Sequence, residues 1–233
     1  MYAIGVIPAR FGSSRFPGKP LAKIAGKTML ERVWEGAKTS RLLKELIIAT
    51  DSRKIKEECE KFGAKVVLTG KANSGTQRVL NAVKNKKCDL VVNIQGDEPL
   101  ITGNLIDRLI VCFKDKNVLV ATLATKISES EHRNPNVVKV ITDKKNFAIY
   151  FSRLPIPNKT YKLAKKHIGI YAYRKKILLN FPYLKSKLSE AENLEQLKFL
   201  ENNVKIKVVD VNYRGVAVDR PSDIKKVLKV LKK

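Results

Sequence analysis

Two kinds of charge sit where chemistry could use them. Arg10, Arg15 and Lys19 punctuate the stretch Ile7-Pro8-Ala9-Arg10-Phe11-Gly12-Ser13-Ser14-Arg15-Phe16-Pro17-Gly18-Lys19-Pro20, which follows a short apolar run. Gly12 and Gly18 allow backbone shapes and close approaches that side-chained residues resist, and amides freed in such a loop can form an anion nest. Basic side chains around a nest fit a phosphate; a basic surface turn is the plainer alternative. The spacing matches neither Gly-x-Gly-x-x-Gly nor Gly-x4-Gly-Lys-Ser/Thr, so dinucleotide and Walker-type readings lose ground. Much later, Asp97 follows the apolar run Leu90 to Ile94 within Gln95-Gly96-Asp97-Glu98-Pro99, and Asp219 lies in Val216-Ala217-Val218-Asp219-Arg220-Pro221. A carboxylate at a strand's carboxyl end, facing a basic loop, is placed to hold Mg²⁺, which binds through one or two carboxylates plus substrate phosphates. Each has an ordinary alternative: Asp97 as a turn residue, Asp219 as a helix-start residue.

Two further groups are polar in suggestive places. His167 opens His167-Ile168-Gly169-Ile170-Tyr171, where alternation puts His167, Gly169 and Tyr171 on one sheet face. That face is a pocket wall or a structural surface. His132 has no comparable setting and reads as surface. Around Ser189, a helix signal running through Leu194, Leu197 and Leu200 places Glu192, Glu195, Gln196 and Phe199 on a shared face by three- and four-residue spacing. Polar side chains opposite a leucine stripe are usually solvated.

These residues need a scaffold, and the first half supplies a rhythm for one. Strand signals at Tyr2 to Ile7, Leu46 to Ala49, Ala64 to Leu68 and Leu90 to Ile94 alternate with helix signals. The helices begin at a Thr28-x-x-Glu31 capping box, at Thr50-Asp51-Ser52, after Asn73-Ser74-Gly75-Thr76-Gln77-Arg78, and at Thr102. Alternating strands and helices predict an α/β fold with a mainly parallel central sheet between helical layers. Ligands of such sheets bind at the carboxyl ends of the strands, where the loops after strands one, three and four would meet. The second half is less regular. Strand signals cover Val118 to Ala124, Val137 to Ile141, Phe147 to Phe151, His167 to Tyr173 and Val204 to Val211, a lysine-flanked segment ending at Lys166 reads as a mobile loop, and Pro221 opens a final helix. The expectation is one domain over residues 1–233, with a regular half over about 1–115 and a less regular half over about 116–233.

The formal charge of +25 over 233 residues fits anionic metabolites, nucleic acid or a lysine-rich solvated surface. The lysines are spread along the chain, which favours the solvated surface over a nucleic-acid footprint. Three separated cysteines, Cys59, Cys88 and Cys112, fit neither a disulfide framework nor a zinc spacing. No apolar run approaches the ~20 residues that span a bilayer, and no signal-peptide pattern opens the chain, so no membrane insertion and a cytoplasmic location are expected.

Taken together, these segments resemble the CMP-KDO synthetases (3-deoxy-manno-octulosonate cytidylyltransferases). The resemblance runs end to end. It rests on the opening loop, Ser74-Gly75-Thr76 with Arg78, Asn93 to Pro99, Asn134 to Lys139, Tyr150 to Arg153, His167 to Tyr171, Leu194 to Leu197, and Val218-Asp219 before Pro221. It implies a nucleotide-diphospho-sugar transferase-like α/β/α fold, conversion of CTP and KDO to CMP-KDO and pyrophosphate for lipopolysaccharide biosynthesis, a Mg²⁺ requirement and a homodimer. Carried over by position, Ala9, Arg10 and Lys19 would hold CTP, with Arg10 and Lys19 on its phosphates and Ser14, Arg15, Ser74 and Arg78 as weaker nucleotide contacts. Gln95, Arg153, His167, Tyr171, Glu195 and Gln196 would meet the sugar, and Asp97 and Asp219 the metal. Catalysis would then fall to Arg10, Lys19, Asp97 and Asp219. Two positions depart from the family pattern: Gln77 stands where an acidic residue is expected, and Arg220 where Thr is usual. The alternatives are a nucleotidyltransferase for another acidic sugar and a basic nucleic-acid-binding protein; the latter leaves the Gly-Pro-Lys loop and the separated aspartates unexplained.

Overall fold

The computed structural model describes residues 1–12 and 16–231, so the expected contacts of Ser14 and Arg15 lie outside it. The opening apolar run forms β1 (Ala3–Ala9), almost wholly buried. A two-residue hairpin, β2 (Lys23–Ile24) and β3 (Lys27–Thr28), leads into α1 (Met29–Lys38), whose Thr28–Glu31 capping box is formed as the sequence predicts. Then come β4 (Leu43–Thr50), α2 (Arg53–Lys61), β5 (Lys65–Leu68), α3 (Gly75–Val83), β6 (Leu90–Asn93) and α4 (Gly103–Val111). The later elements are β7 (Val120–Lys126), α5 (Glu129–Arg133), β8 (Lys139–Thr142), β9 (Ala148–Ser152), β10 (Lys165–Arg174), α6 (Lys175–Asn180), α7 (Lys187–Glu192), α8 (Leu197–Glu201), β11 (Ile206–Asp210) and α9 (Asp223–Leu231).

Two units emerge. The first joins Met1–Asp107 to Arg214–Lys233; the second is Arg108–Tyr213. The return of the C-terminal segment to the first unit differs from a simple division near residue 115, and its cause is local. Val218 and Val227 are buried with Ile24 and Met29, while Phe16, Leu100, Val216, Ile224 and Leu228 pack around them. Burying each such side chain is worth about 1.5–3 kcal/mol.

In the first unit, β1 is flanked by β4 and β6, β5 pairs with β4, and every one of these pairings is parallel. Pro8, which has no N–H to give, lies beyond the β6 pairing, which ends at Val6–Asn93. Arg10, Asp51 and Gln95 all follow the carboxyl ends of their strands, as a parallel sheet requires of a ligand site.

The second unit is mixed. β7 runs parallel to β11 and antiparallel to β10, and β8 pairs antiparallel with both β9 and the start of β10. Three sequence expectations change here. The segment up to Lys166 is not all loop, because β10 already begins at Lys165. His132 is buried, not surface: it is 5% exposed and its Nε2 lies 3.2 Å from the Ile156 carbonyl. The single helix expected from Ser189 through Leu200 is two. Ser186, not Ser189, caps α7, Asn193 then turns the chain at φ 53°, and α8 starts after Gln196. Asn tolerates this left-handed conformation better than most residues, and it breaks the helical spacing that had aligned Glu192 with Glu195.

Candidate active site

The basic loop is closed by its backbone. Gly18 adopts φ 69°, a conformation that favours glycine, and donates its N–H to the Phe11 carbonyl at 3.2 Å. The turn starts a one-turn helix, Lys19–Leu21, and aims Lys19 inward. Lys19 Nζ donates to Asp97 Oδ2 at 2.8 Å and to the Val218 carbonyl at 3.0 Å, and it lies 3.7 Å from Asp219 Oδ1. The same Val218 donates its N–H to the Asp97 carbonyl at 2.9 Å. This backbone contact brings two aspartates 122 positions apart to one ammonium group. Asp219 is steadied from its other side, because Asp223 Oδ2 accepts the N–H groups of Asp219 and Arg220 at 3.2 and 3.0 Å. Gly96 is needed beside Asp97: a Cβ there would come to 3.0 Å from the Pro8 carbonyl oxygen.

The donor set fits Mg²⁺. Two carboxylates, both partly exposed, converge on the Lys19 ammonium. Hard oxygen donors with room for phosphate and water are what Mg²⁺ accepts. Ala9 ends β1 in the core and Arg10 beyond it is exposed. Gln95, expected on the sugar, belongs to this first unit and is partly exposed, its carbonyl receiving the Glu98 N–H in the turn that carries Asp97.

Ser74 and Arg78 have partners within the first unit. Ser74 Oγ caps α3 by accepting the Gln77 N–H at 3.2 Å. Arg78 is 3% exposed and donates to Asp51 at 2.6 Å, to Thr69 Oγ1 at 2.9 Å and to the Gly70 carbonyl at 3.2 Å. Its guanidinium holds together the loops after β4 and β5. Gln77 donates to Asn81 Oδ1 one turn along at 3.0 Å.

In the second unit, His167, Tyr171 and Phe151 form an aromatic group. His167 and Tyr171 rings are 5.4 Å apart, and Phe151 meets His167 edge-on at 5.2 Å. Thr122 Oγ1 lies 3.0 Å from His167 Nε2 and within 3.2 and 2.8 Å of the Ile168 and Ile170 carbonyls. A hydroxyl has one proton, and two carbonyls compete for it. His167 Nε2 must therefore be the donor to Thr122, which leaves Nδ1 as an acceptor. Burial pushes the His167 pKa down, to about 3. The side chain keeps some solvent contact, and neutrality at pH 7 would survive a much smaller shift. The Tyr171 hydroxyl is buried and has no partner in good geometry among the described residues. Thr122 is near enough to moderate the pKa of that hydroxyl. Burial, then Tyr173 and Glu195, raise that pKa well above its usual value, which places Glu195 in the same group. Gln196 is buried at the start of α8, and Arg153, just past β9, is partly exposed.

A cytidylyltransferase family profile matches residues 4–206. The 3-deoxy-manno-octulosonate cytidylyltransferase of Bdellovibrio bacteriovorus is 46% identical, covering 99% of this chain and 98% of its own. That of Thermodesulfovibrio yellowstonii is 44% identical with the same coverage. The chain belongs to the 3-deoxy-manno-octulosonate cytidylyltransferase family. Its fold superimposes on the CTP complex of CMP:2-keto-3-deoxy-manno-octonic acid synthetase with a TM-score of 0.94 at 38% identity, covering 100% of this chain and 99% of that one. A 4-diphosphocytidyl-2C-methyl-D-erythritol synthase from Anaerococcus prevotii, 18% identical with a TM-score of 0.72 and covering 100% and 99% of the two chains, shares the fold alone. In this family member, Thr122 and Asp223 escaped sequence reasoning. Asp223 had a signal, an acidic residue in the first turn after Pro221; Thr122, inside an apolar strand, had none.

Proposed function

We propose that this chain transfers a cytidylyl group from CTP to KDO, releasing pyrophosphate, and so activates KDO for lipopolysaccharide biosynthesis. The observation that carries the reading is the meeting of Lys19, Asp97 and Asp219 at one point behind the basic loop. The anomeric hydroxyl oxygen of KDO forms a bond to the α-phosphorus of CTP. The bond from that phosphorus to the bridging oxygen breaks, pyrophosphate leaves with the electron pair, and the hydroxyl proton passes to solvent. Such chemistry asks a protein for positioning and charge neutralisation more than covalent help. Arg10 and Lys19 bind the triphosphate and stabilise the charge gathering on the leaving group. Asp97 and Asp219 would hold Mg²⁺, which when bound neutralises phosphate charge and makes the sugar hydroxyl easier to ionise. Arg153 pairs with the sugar carboxylate, bidentately where geometry allows. Neutral His167 accepts a sugar hydroxyl proton at Nδ1, and Tyr171, Glu195, Gln196 and Gln95 complete the sugar contacts.

The working form is read as a cytoplasmic homodimer. In support, no helix among the described residues is long and apolar enough to cross a membrane, and Leu154, Leu163 and Tyr183 of the second unit are exposed.

The test is pyrophosphate release from CTP with Mg²⁺, with and without KDO, and identification of the nucleotide product by mass. Release that requires KDO and yields CMP-KDO is expected, as is loss on chelation and recovery on adding Mg²⁺. Turnover of a different acidic sugar in preference to KDO would overturn the substrate assignment.

A further inference from the structure

The Arg153 peptide is gripped from both ends. Its N–H donates to Glu192 Oε2 at 3.4 Å, and its carbonyl accepts from Lys139 Nζ. Glu192 also receives the Ser152 hydroxyl, at 3.2 Å to either oxygen, and the Tyr150 hydroxyl at 3.4 Å, while Ser152 Oγ accepts the Leu154 N–H at 3.0 Å. Lys139 is fully buried opposite Ser152 in the β8–β9 pairing, and its remaining donors go to the Asn134 and Val137 carbonyls at 3.0 and 2.8 Å. The three donors of the ammonium thus meet three backbone carbonyls.

Burying a lysine costs several kcal/mol, and carbonyls offset this less fully than a carboxylate would. The strain shows in its acidity: burial first, then the Arg153 charge, lower the Lys139 pKa, and Glu192 opposes them. A fold needing only loop closure could use a neutral donor here. What a charge adds is a stiff hold on the Arg153 carbonyl. Fixing both ends of one residue removes backbone freedom that binding would otherwise have to remove.

We propose that Lys139 and Glu192 are positioning residues for sugar-acid capture, clamping the Arg153 backbone so that its guanidinium is already aimed at the substrate carboxylate. This rests on the reading of Arg153 given above. The His167 backbone N–H, bonded to the Val138 carbonyl at 2.9 Å, ties the aromatic group to the residue just before Lys139, so the clamp sets both sugar contacts in one frame.

The experiment is a double-mutant cycle on KDO-dependent pyrophosphate release, pairing Lys139→Met or Glu192→Gln with Arg153→Ala. Each single clamp variant is expected to raise KM for KDO about tenfold, with KM for CTP and kcat nearly unchanged. In the Arg153→Ala background the same changes are expected to add almost nothing, because the clamp acts through Arg153. Additive losses, or a rise in KM for CTP matching that for KDO, would show a merely structural role and overturn the proposal. Should Lys139→Met fail to fold, the Glu192→Gln arm decides alone. Absence of KDO turnover by the wild-type protein would reject the substrate reading instead, before any variant is compared.

Discussion

Lys19 Nζ lies 2.8 Å from Asp97 Oδ2, and this bond connects the basic loop to the carboxylate pair. Both partners are only partly buried, so the pair itself is worth about 0–1 kcal/mol of stability. Its value is arrangement. Replacing Lys19 by Met is expected to lower kcat/KM by at least about 10²-fold, the loss typical of a preorganised charge on a transferring phosphoryl group. Asp97→Asn should do likewise while leaving the unfolding midpoint within a few degrees of the wild type. Pyrophosphate release at limiting and saturating Mg²⁺ checks both. Near-normal turnover of Asp97→Asn at limiting Mg²⁺ would remove Asp97 from the metal site.

Arg78 should behave in the opposite way. Its guanidinium is spent on Asp51, Thr69 and Gly70, so its loss leaves a carboxylate unpaired and two loops untied. Arg78→Ala is expected to cost about 2–3 kcal/mol in urea unfolding, a charge-assisted bond and part of an ion pair. KM for CTP should move by less than about threefold once the folded fraction is accounted for. A large rise in KM with unchanged stability would return Arg78 to the nucleotide.

What the sequence could and could not reveal comes down to range. The first unit was legible because its signals are local: a buried run, a Thr28–Glu31 box, a polar turn, repeated. Asp97 was legible as a carboxylate past a strand end, and Lys19 as a cation in the basic loop. Their direct bond was not, nor the Val218 N–H bond to the Asp97 carbonyl that brings Asp219 beside them, since no spacing rule spans such separations. The Asn193 break between α7 and α8 failed for a different reason. Leu194, Leu197 and Leu200 keep helical spacing immediately after a single left-handed residue, and periodicity does not register one reversed φ. His132 was misplaced because burial by a distant segment, here the Ile156 carbonyl, leaves no mark on its own neighbours.

Asp223 offers a test of that long-range positioning. Burial alone would raise its carboxyl pKa, but the Lys226 ammonium and the Arg220 and Asp219 amides outweigh it and hold the carboxyl below its usual 3.8. Its contribution is therefore fully present above that value and lost as pH falls below it. Asp223→Ala should cost roughly 1 kcal/mol, as the loss of a helix-start carboxylate does. Because the Asp219 backbone is released, kcat should also fall by about 10-fold, with a higher Mg²⁺ requirement. An Mg²⁺ titration of turnover separates this from simple destabilisation; an unchanged half-saturation would refute the link to Asp219.

His167 gives a pH prediction with a definite sign. Its pKa is lowered from 6.5 to about 3 in the folded protein by burial. Above pH 6.5 it is neutral in both states and adds no pH dependence. Between 6.5 and about 3 the unfolded chain binds a proton that the folded chain refuses, so stability falls with pH, by up to about 1.4 kcal/mol per unit. Below about 3 the slope ends. Gln at this position keeps a donor for Thr122 but does not titrate. His167→Gln should therefore be less stable than wild type at pH 7.5 and regain up to about 2 kcal/mol on that difference at pH 5. Urea unfolding of both proteins at the two pH values measures the difference directly. Parallel stability curves would mean that His167 takes up its proton in the folded state, and a protonated ring with both nitrogens donating could no longer accept a sugar hydroxyl proton at Nδ1.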